Sequence, residues 1–181
     1  MLIQETKLKG CYILHPKLFE DKRGYFIESF NETAFKEQIR QNVSFVQDNE
    51  SKSAKGVLRG LHYQKGKHAQ AKLVRVVSGS VIDVVVDLRL NSDTFGQHVS
   101  ILLSGDNKMQ LFVPRGFAHG FLALEENTIF SYKCDNYYNK ASERGIIYND
   151  KDLNIDWQIP LENIIISEKD RELPSFKEAL I

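Results

Sequence analysis

The sequence predicts a mainly β protein, an antiparallel sandwich or barrel with a few short helices. The middle of the 181-residue chain is a succession of short segments rich in β-branched and aromatic residues. Turns rich in Gly, Ser, Asn and Asp separate these segments, and no helical pattern of about 10–15 residues intervenes, as parallel βαβ units would require. The predicted strands are 56–63, 71–77, 81–88, 98–103, 109–113, 117–124 and 128–133.

The segment 81–88 shows the alternation expected of a strand, whose successive side chains point to opposite faces. One face carries only apolar residues, and the other carries two valines and two aspartates. The two sets are Ile82, Val84, Val86 and Leu88, and Val81, Asp83, Val85 and Asp87.

One early helix is predicted after Asn31, which is a favourable N-cap residue. Phe30, just before the cap, is placed to pack on Phe35 as a hydrophobic staple. Residues 175–180 are predicted to form a last helical turn. The residues that recur at helical spacing after the cap are Ala34, Phe35, Gln38 and Ile39. The residues predicted to be buried in the C-terminal third are Trp157, Ile159, Ile164 and Ile166.

Composition predicts one domain over residues 1–181, since no repeat or linker divides the chain. The 24 basic and 24 acidic residues give zero net charge, which argues against nonspecific nucleic-acid binding. The only two cysteines, Cys11 and Cys134, cannot build a multi-bridge framework, which favours free thiols in a reducing compartment. The apolar runs are far shorter than the ~20 residues of a membrane helix. We therefore expect a cytoplasmic protein without a membrane segment.

Basic residues cluster between residues 51 and 80, where no acidic residue occurs. Solvated strand faces and turns would explain such a cluster. A site for a phosphate-bearing ligand would also explain it, because Arg grips oxygens bidentately. A nucleic-acid-binding barrel is disfavoured, since no exposed aromatics are interleaved with these charges. The cluster consists of Lys52, Lys55, Arg59, Lys65, Lys67, Lys72 and Arg75.

Two histidines stand in Gly-containing strand motifs, His62 in RGLH and His119 in PRGFAHG. Paired histidines in a β-barrel are typical of a metal-binding cupin, which needs three or four ligands. Gln64 stands where a second ligand of a His-x-His pair belongs, and lysines follow instead of a carboxylate. We therefore predict no metal site.

Without a metal, His62 is a candidate general base, because a neutral imidazole accepts protons near pH 7. It would need a carboxylate to fix its tautomer, and the residue pattern does not say which one. Tyr132 is a candidate proton donor, although packing alone would also explain a strand tyrosine. For the other histidines, at 15, 68 and 98, we expect structural roles.

Five motifs occur in an order that resembles the dTDP-4-dehydrorhamnose 3,5-epimerase family. The resemblance runs from about residue 5 to residue 175. It implies a cupin-like jelly roll that works without metal or cofactor. The motifs are DKRGYFIES at 21–29, FVQDNES at 45–51, VLRGLH at 57–62, PRGFAHGF at 114–121 and YKCDNYY at 132–138.

The resemblance implies that the C4 ketone of a dTDP-4-dehydro-6-deoxy-D-glucose substrate acidifies the hydrogens on C3 and C5. Each proton would be removed and one returned to the opposite face through an enolate. By similarity, His62 is the base and Asp170 its orienting partner. Tyr132 matches the general acid, and Lys72 matches a residue whose charge stabilises the enolate oxygen.

The resemblance also implies a set of ligand contacts and a homodimer that exchanges N-terminal strands, so that Arg23 and Glu28 act across the interface. The diphosphate is expected at Arg23 and Arg59, the reacting sugar near His119, and thymine on Tyr138. The remaining expected contacts are Glu28, Gln47 and Asn49 around thymine and sugar, with Glu143 and Lys169 as further contacts.

Arg59 and His62 are separated by an odd number of positions and would face opposite sides of a regular strand. Both can serve one pocket if Gly60 forms a bulge, or Arg59 can point to a neighbouring subunit's ligand. Three alternatives stay open from sequence: an epimerase acting on C3 or C5 only, a 3,4-ketoisomerase on a similar barrel, and a nucleotide-sugar-binding cupin without activity. The ketoisomerase is disfavoured by Gln64, because that group favours His-x-His.

Overall fold

The computed structural model describes residues 2–179 and is built mainly from antiparallel strands. A six-stranded sheet has the order β1-β2-β10-β7-β12-β5, and a five-stranded sheet has the order β13-β6-β11-β8-β9. A separate hairpin pairs β3 with β4. The strands are β1 Leu2–Glu5, β2 Tyr12–His15, β3 Leu18–Asp21, β4 Gly24–Ile27, β5 Gln47–Ser53, β6 Leu58–Gln64, β7 Lys72–Ser78, β8 Ser80–Asp87, β9 His98–Ser104, β10 Gln110–Val113, β11 Phe117–Ala123, β12 Thr128–Cys134 and β13 Glu143–Gly145.

Three short α-helices flank the sheets: α1 Glu32–Ile39, α2 Glu168–Arg171 and α3 Phe176–Ala179. The predicted cap of α1 is confirmed, because Asn31 Oδ1 accepts a hydrogen bond from Ala34 N at 3.1 Å. The predicted staple is also present, with the Phe30 and Phe35 rings 5.9 Å apart. None of the helices in the described part of the chain is long and apolar enough to span a membrane.

The two large sheets enclose one apolar cluster, to which β7, β10 and β12 contribute from one side and β8, β9 and β11 from the other. The predicted mainly β, cupin-like fold is therefore confirmed. A second cluster covers the outer face of the five-stranded sheet, where Leu153, Trp157, Ile164 and Phe176 of the C-terminal segment pack on it. Helix α1 packs on Leu73 and Phe112 at the outer face of the six-stranded sheet.

Strand β8 is buried on both faces, which explains its continuous run of valines. Ile82, Val84 and Val86 pack in the outer cluster, whereas Val81 and Val85 pack between the sheets, as the alternation predicted. The seven predicted strands are all present within two residues of their predicted ends. Strands β1 to β5 and β13 were not predicted from the sequence. In the C-terminal third, Ile159 and Ile166 are only partly buried, contrary to the prediction. Leu180, at the end of the predicted last turn, lies outside the described residues.

Strand β6 contains the predicted bulge. His119 pairs with His62 and Phe121 pairs with Arg59, so β6 uses three steps where β11 uses two. Gly60 within this step has φ +136°, and the Gly60–Leu61 peptide bond is cis. A Cβ added to Gly60 would lie 2.5 Å from Gly120 Cα. The bulge therefore brings Arg59 and His62 to one side of the sheet, and it needs glycine at position 60.

We expect Gly60→Ala to lower the free energy of unfolding by at least about 3 kcal/mol, because it adds a clash with Gly120 to the backbone strain. Urea denaturation measures this. Gly24→Ala is the matched control, since Gly24 has φ +128° but its Cβ would meet open space, so only strain of about 1–2 kcal/mol is expected. Equal losses in the two variants would contradict a close contact at Gly60.

Candidate active site

A cavity of about 550 Å³ opens at the inner face of the sheets. It brings together side chains from strands β5, β6, β7, β11 and β12 and from the segment leading into α2. Seven of the candidate site residues predicted from the sequence line it: Arg59, His62, Lys72, His119, Tyr132, Lys169 and Asp170. A neighbouring space of about 340 Å³ shares His62, Lys72 and Tyr132 with it, so the two form one continuous site.

His62 and Asp170 form a close pair, with Nε2 of His62 2.7 Å from Oδ1 of Asp170. Asp170 is buried, and its second oxygen accepts from Gly60 N at 3.4 Å. Ser167 caps α2 by accepting from Asp170 N, which fixes the start of this helix. Burial opposes ionisation of Asp170, but hydrogen bonds to His62 and the Gly60 amide, together with the nearby Lys169 charge, outweigh it and lower the pKa of this carboxyl. Because Nε2 is engaged by Asp170, Nδ1 is the other ring nitrogen that could accept a proton.

Lys72 and Tyr132 lie side by side, with Nζ 5.8 Å from the centre of the phenol ring. Burial lowers the pKa of Lys72, and burial raises the pKa of Tyr132. The phenol is therefore protonated at neutral pH. The buried Lys72 ammonium loses its proton more easily than the ammonium of a solvated lysine.

Arg59 reaches the cavity from β6 and is oriented by strand β5. Its Nε donates to Ser53 Oγ at 3.2 Å, and an Nη2 hydrogen points to the Lys52 carbonyl at 3.4 Å. The remaining guanidinium hydrogens are available to an anion. Ser53 was not singled out from the sequence.

A polar chain lines the neighbouring space. Gln47 Nε2 donates to Asn49 Oδ1 at 2.9 Å, and Gln47 Oε1 accepts from Tyr138 N at 3.4 Å. The Tyr138 hydroxyl donates to Glu143 Oε2 at 2.9 Å, and Lys169 Nζ lies 2.6 Å from the same oxygen. Hydrogen bonding to Lys169 and Tyr138 outweighs burial and lowers the pKa of Glu143. These contacts hold five of the predicted binding residues at one mouth of the cavity.

Two predicted residues lie elsewhere in the single chain. Arg23 is exposed at the turn of the β3–β4 hairpin, where it pairs with Asp21 at 2.6 Å. Glu28 is exposed just after β4. Neither lines the cavity that contains His62. The hairpin also exposes Phe19, Tyr25 and Phe26.

His119 has a buried carboxylate partner that was not predicted from the sequence. Asp83, fully buried on β8, lies 3.0 and 2.9 Å through its two oxygens from His119 Nε2. An aspartate within a run of valines was the available signal, since buried carboxylates need partners. The three remaining histidines, His15, His68 and His98, are partly exposed and do not line the cavity. Within residues 2–179 no group of three or more His, Cys, Asp or Glu side chains is placed to hold a metal ion.

Comparison with known proteins shows the family to which the chain belongs. A family model described as dTDP-4-dehydrorhamnose 3,5-epimerase matches residues 5–178. The dTDP-4-dehydrorhamnose 3,5-epimerase of Shigella flexneri is 50% identical over 179 residues, covering 99% of this chain and 98% of that protein.

Two solved structures are similar over nearly the whole chain. The dTDP-4-dehydrorhamnose 3,5-epimerase of Elizabethkingia anophelis is 58% identical with a TM-score of 0.96, covering 100% of this chain and 99% of that one. The dTDP-6-deoxy-D-glucose-3,5-epimerase of Legionella pneumophila, solved with dTDP-4-keto-L-rhamnose, is 46% identical with a TM-score of 0.94, covering 97% and 93%. This chain belongs to the dTDP-4-dehydrorhamnose 3,5-epimerase family.

Proposed function

We propose that the protein inverts C3 and C5 of dTDP-4-dehydro-6-deoxy-D-glucose and so forms dTDP-4-dehydro-L-rhamnose. The observation that carries this proposal is the cavity itself, into which the His62–Asp170 pair and the Lys72–Tyr132 pair both project. Family membership and the keto-sugar nucleotide bound to the Legionella relative support the choice of substrate.

In this mechanism His62 removes the proton next to the ketone. Asp170 engages Nε2, so the neutral imidazole has its lone pair on Nδ1. The carboxylate also stabilises the imidazolium that forms, without taking its proton. A positioned base of this kind contributes roughly 10²–10⁴-fold to the rate.

The electrons left on carbon delocalise into the C4 carbonyl, and the enolate oxygen then carries the negative charge. Lys72 is proposed to stabilise that charge, since an ammonium group in a site of low polarity acts strongly on a nearby anion. Tyr132, which is protonated at neutral pH, is proposed to return a proton to the opposite face of the carbon. The reaction moves protons without net oxidation, so its electrons balance without a cofactor.

The rest of the site is proposed to bind the nucleotide. Arg59, held by Ser53, suits the diphosphate, because a guanidinium grips phosphate oxygens in a fork. His119 is proposed to lie near the sugar. Tyr138 is proposed to stack on thymine, and the surrounding polar groups to contact base and sugar: Gln47, Asn49, Glu143 and Lys169.

We further propose a homodimer in which the β3–β4 hairpin of one copy reaches the cavity of the other. The exposed aromatic side chains of the hairpin and the distance of Arg23 and Glu28 from their own cavity support this arrangement. A cytoplasmic location and the absence of a nucleic-acid partner remain predictions. The free, buried thiols of Cys11 and Cys134 fit a reducing compartment.

Incubation with dTDP-4-dehydro-6-deoxy-D-glucose in D₂O tests the activity. We expect deuterium at both C3 and C5, measured by mass spectrometry and located by NMR, and a loss of at least about 100-fold in rate for His62→Ala. His98→Ala, which changes a partly exposed histidine on β9, is the control and should retain the rate. Deuterium at one carbon only would make the protein a mono-epimerase. Binding of dTDP without exchange would leave a binding protein.

Mixing two inactive variants tests the shared site. We expect Arg23→Ala and His62→Ala homodimers each to be impaired. After dissociation and reassociation together, heterodimers should regain activity, because one of their two sites then carries neither change. Size-exclusion chromatography with light scattering confirms the dimer. If mixing restores nothing while heterodimers form, Arg23 acts within its own chain or not at all.

A further inference from the structure

A second histidine–aspartate pair lies directly beside the first. His119 of β11 is the register partner of His62 of β6, and both line the cavity. Asp83 holds His119 Nε2 through both carboxylate oxygens. The site therefore contains two imidazoles side by side, each with its own buried carboxylate.

His119 presents its other nitrogen to the cavity. Nδ1 makes no hydrogen bond to the described residues. Among those residues, Ser51 Oγ is the only buried, solvent-shielded side-chain nitrogen or oxygen without a partner, so Nδ1 is accessible. The Phe130 ring stacks on His119 with centroids 6.1 Å apart, and Phe121 stacks on Phe130 at 4.1 Å. This packing fixes the plane of the imidazole.

Asp83 also acts on Lys72. Burial raises the pKa of Asp83, and the charges of His119 and Lys72 oppose that rise. Burial lowers the pKa of Lys72, and the negative charge of Asp83 opposes that fall. The charged or titratable groups around the two are His119 on β11, His62 on β6, Tyr132 and Cys134 on β12, Glu143 on β13 and Cys11 before β2.

We propose that Asp83 is a positioning residue of the reaction: its carboxylate orients His119 and keeps Lys72 protonated, so that the ammonium group can stabilise the oxygen of the enolate. Asp83 itself touches no substrate. Burial makes the charged form of Lys72 costly, and a nearby carboxylate lowers that cost. This inference rests on the proposed epimerisation for its role, but the charge coupling between Asp83 and Lys72 is independent of the reaction.

Asp83→Asn tests the proposal, because asparagine keeps the shape and an acceptor for Nε2–H but removes the charge. We expect kcat to fall roughly 10–100-fold, which is less than the 10²–10³-fold typical of deleting a donor outright. KM and dTDP affinity should stay nearly unchanged. Because a lost negative charge lowers the pKa of Lys72, the alkaline limb of kcat/KM should move to lower pH by about one unit or more.

Asp87→Asn is the matched control. Asp87 is equally buried on the same face of β8, but it pairs with Arg89, Ser92 and Thr94 away from the cavity. Loss of the Asp87 carboxylate should lower stability, measured by thermal unfolding. It should leave unchanged the kcat of the folded fraction and the alkaline limb of the kcat/KM pH profile. If Asp83→Asn and Asp87→Asn behave alike, Asp83 is structural and the proposal fails.

A measurement that needs no catalysis tests this proposal separately from the proposed function. Titration of the Lys72 ammonium by NMR of ¹⁵N-lysine-labelled protein, with Lys72→Met for assignment, measures the coupling directly. We expect the Lys72 pKa to be lower in Asp83→Asn by about one unit or more and unchanged in Asp87→Asn. An unchanged Lys72 pKa in Asp83→Asn overturns the proposal even if the protein is an epimerase. A shifted pKa in a protein without exchange activity would refute only the proposed function.

Discussion

The contact between His62 and Asp170 depends on most of the structure around it. One residue lies in the middle of strand β6 and the other in a four-residue helix near the C-terminus. A helix this short has little stability of its own, so tertiary packing must hold it. Trp157, Ile164 and Phe176 supply that packing against the outer face of the five-stranded sheet. The apolar cover on this face is therefore also what places a carboxylate 2.7 Å from a histidine on the other side.

The bulge at Gly60, in strand β6, also supports the contact between His62 and Asp170. It turns Arg59 and His62 towards one cavity, and it exposes the Gly60 amide to the second oxygen of Asp170. This one bulge thus aligns three groups of the site: Arg59, which is proposed to bind the anion, His62, the proposed base, and Asp170, which orients that base. Strand irregularities are common beside active sites for this reason.

Much of the fold could be predicted, because buried strands carry strong local signals. The residues of β8 predicted its alternation, and the structure shows in addition that the strand is buried on both faces. Strand β5 was missed because alternate positions carry Gln47, Asn49 and Ser51, which line the site, and so lack the apolar residues that mark a strand. The β3–β4 hairpin was missed because it packs little of its surface against its own chain.

The site was predictable only in part from residue chemistry. The setting of His62 indicated a base, but its partner stands 108 positions away, and no local pattern connects them. The resemblance to a family supplied Asp170, whose role remains a proposal. Asp83 was visible as an aspartate among valines, yet its pairing with His119 across 36 positions appears only in the folded structure.

A double-mutant cycle on His62 and Asp170 tests most directly whether the two act as one unit. Deuterium exchange rates are measured for Asp170→Asn, His62→Ala and the double variant. If Asp170 acts through His62, its replacement slows the wild-type enzyme strongly and has no further effect once His62 is gone. Additive losses in the double variant would show that Asp170 acts independently of His62 and would contradict its role as the partner that orients the base.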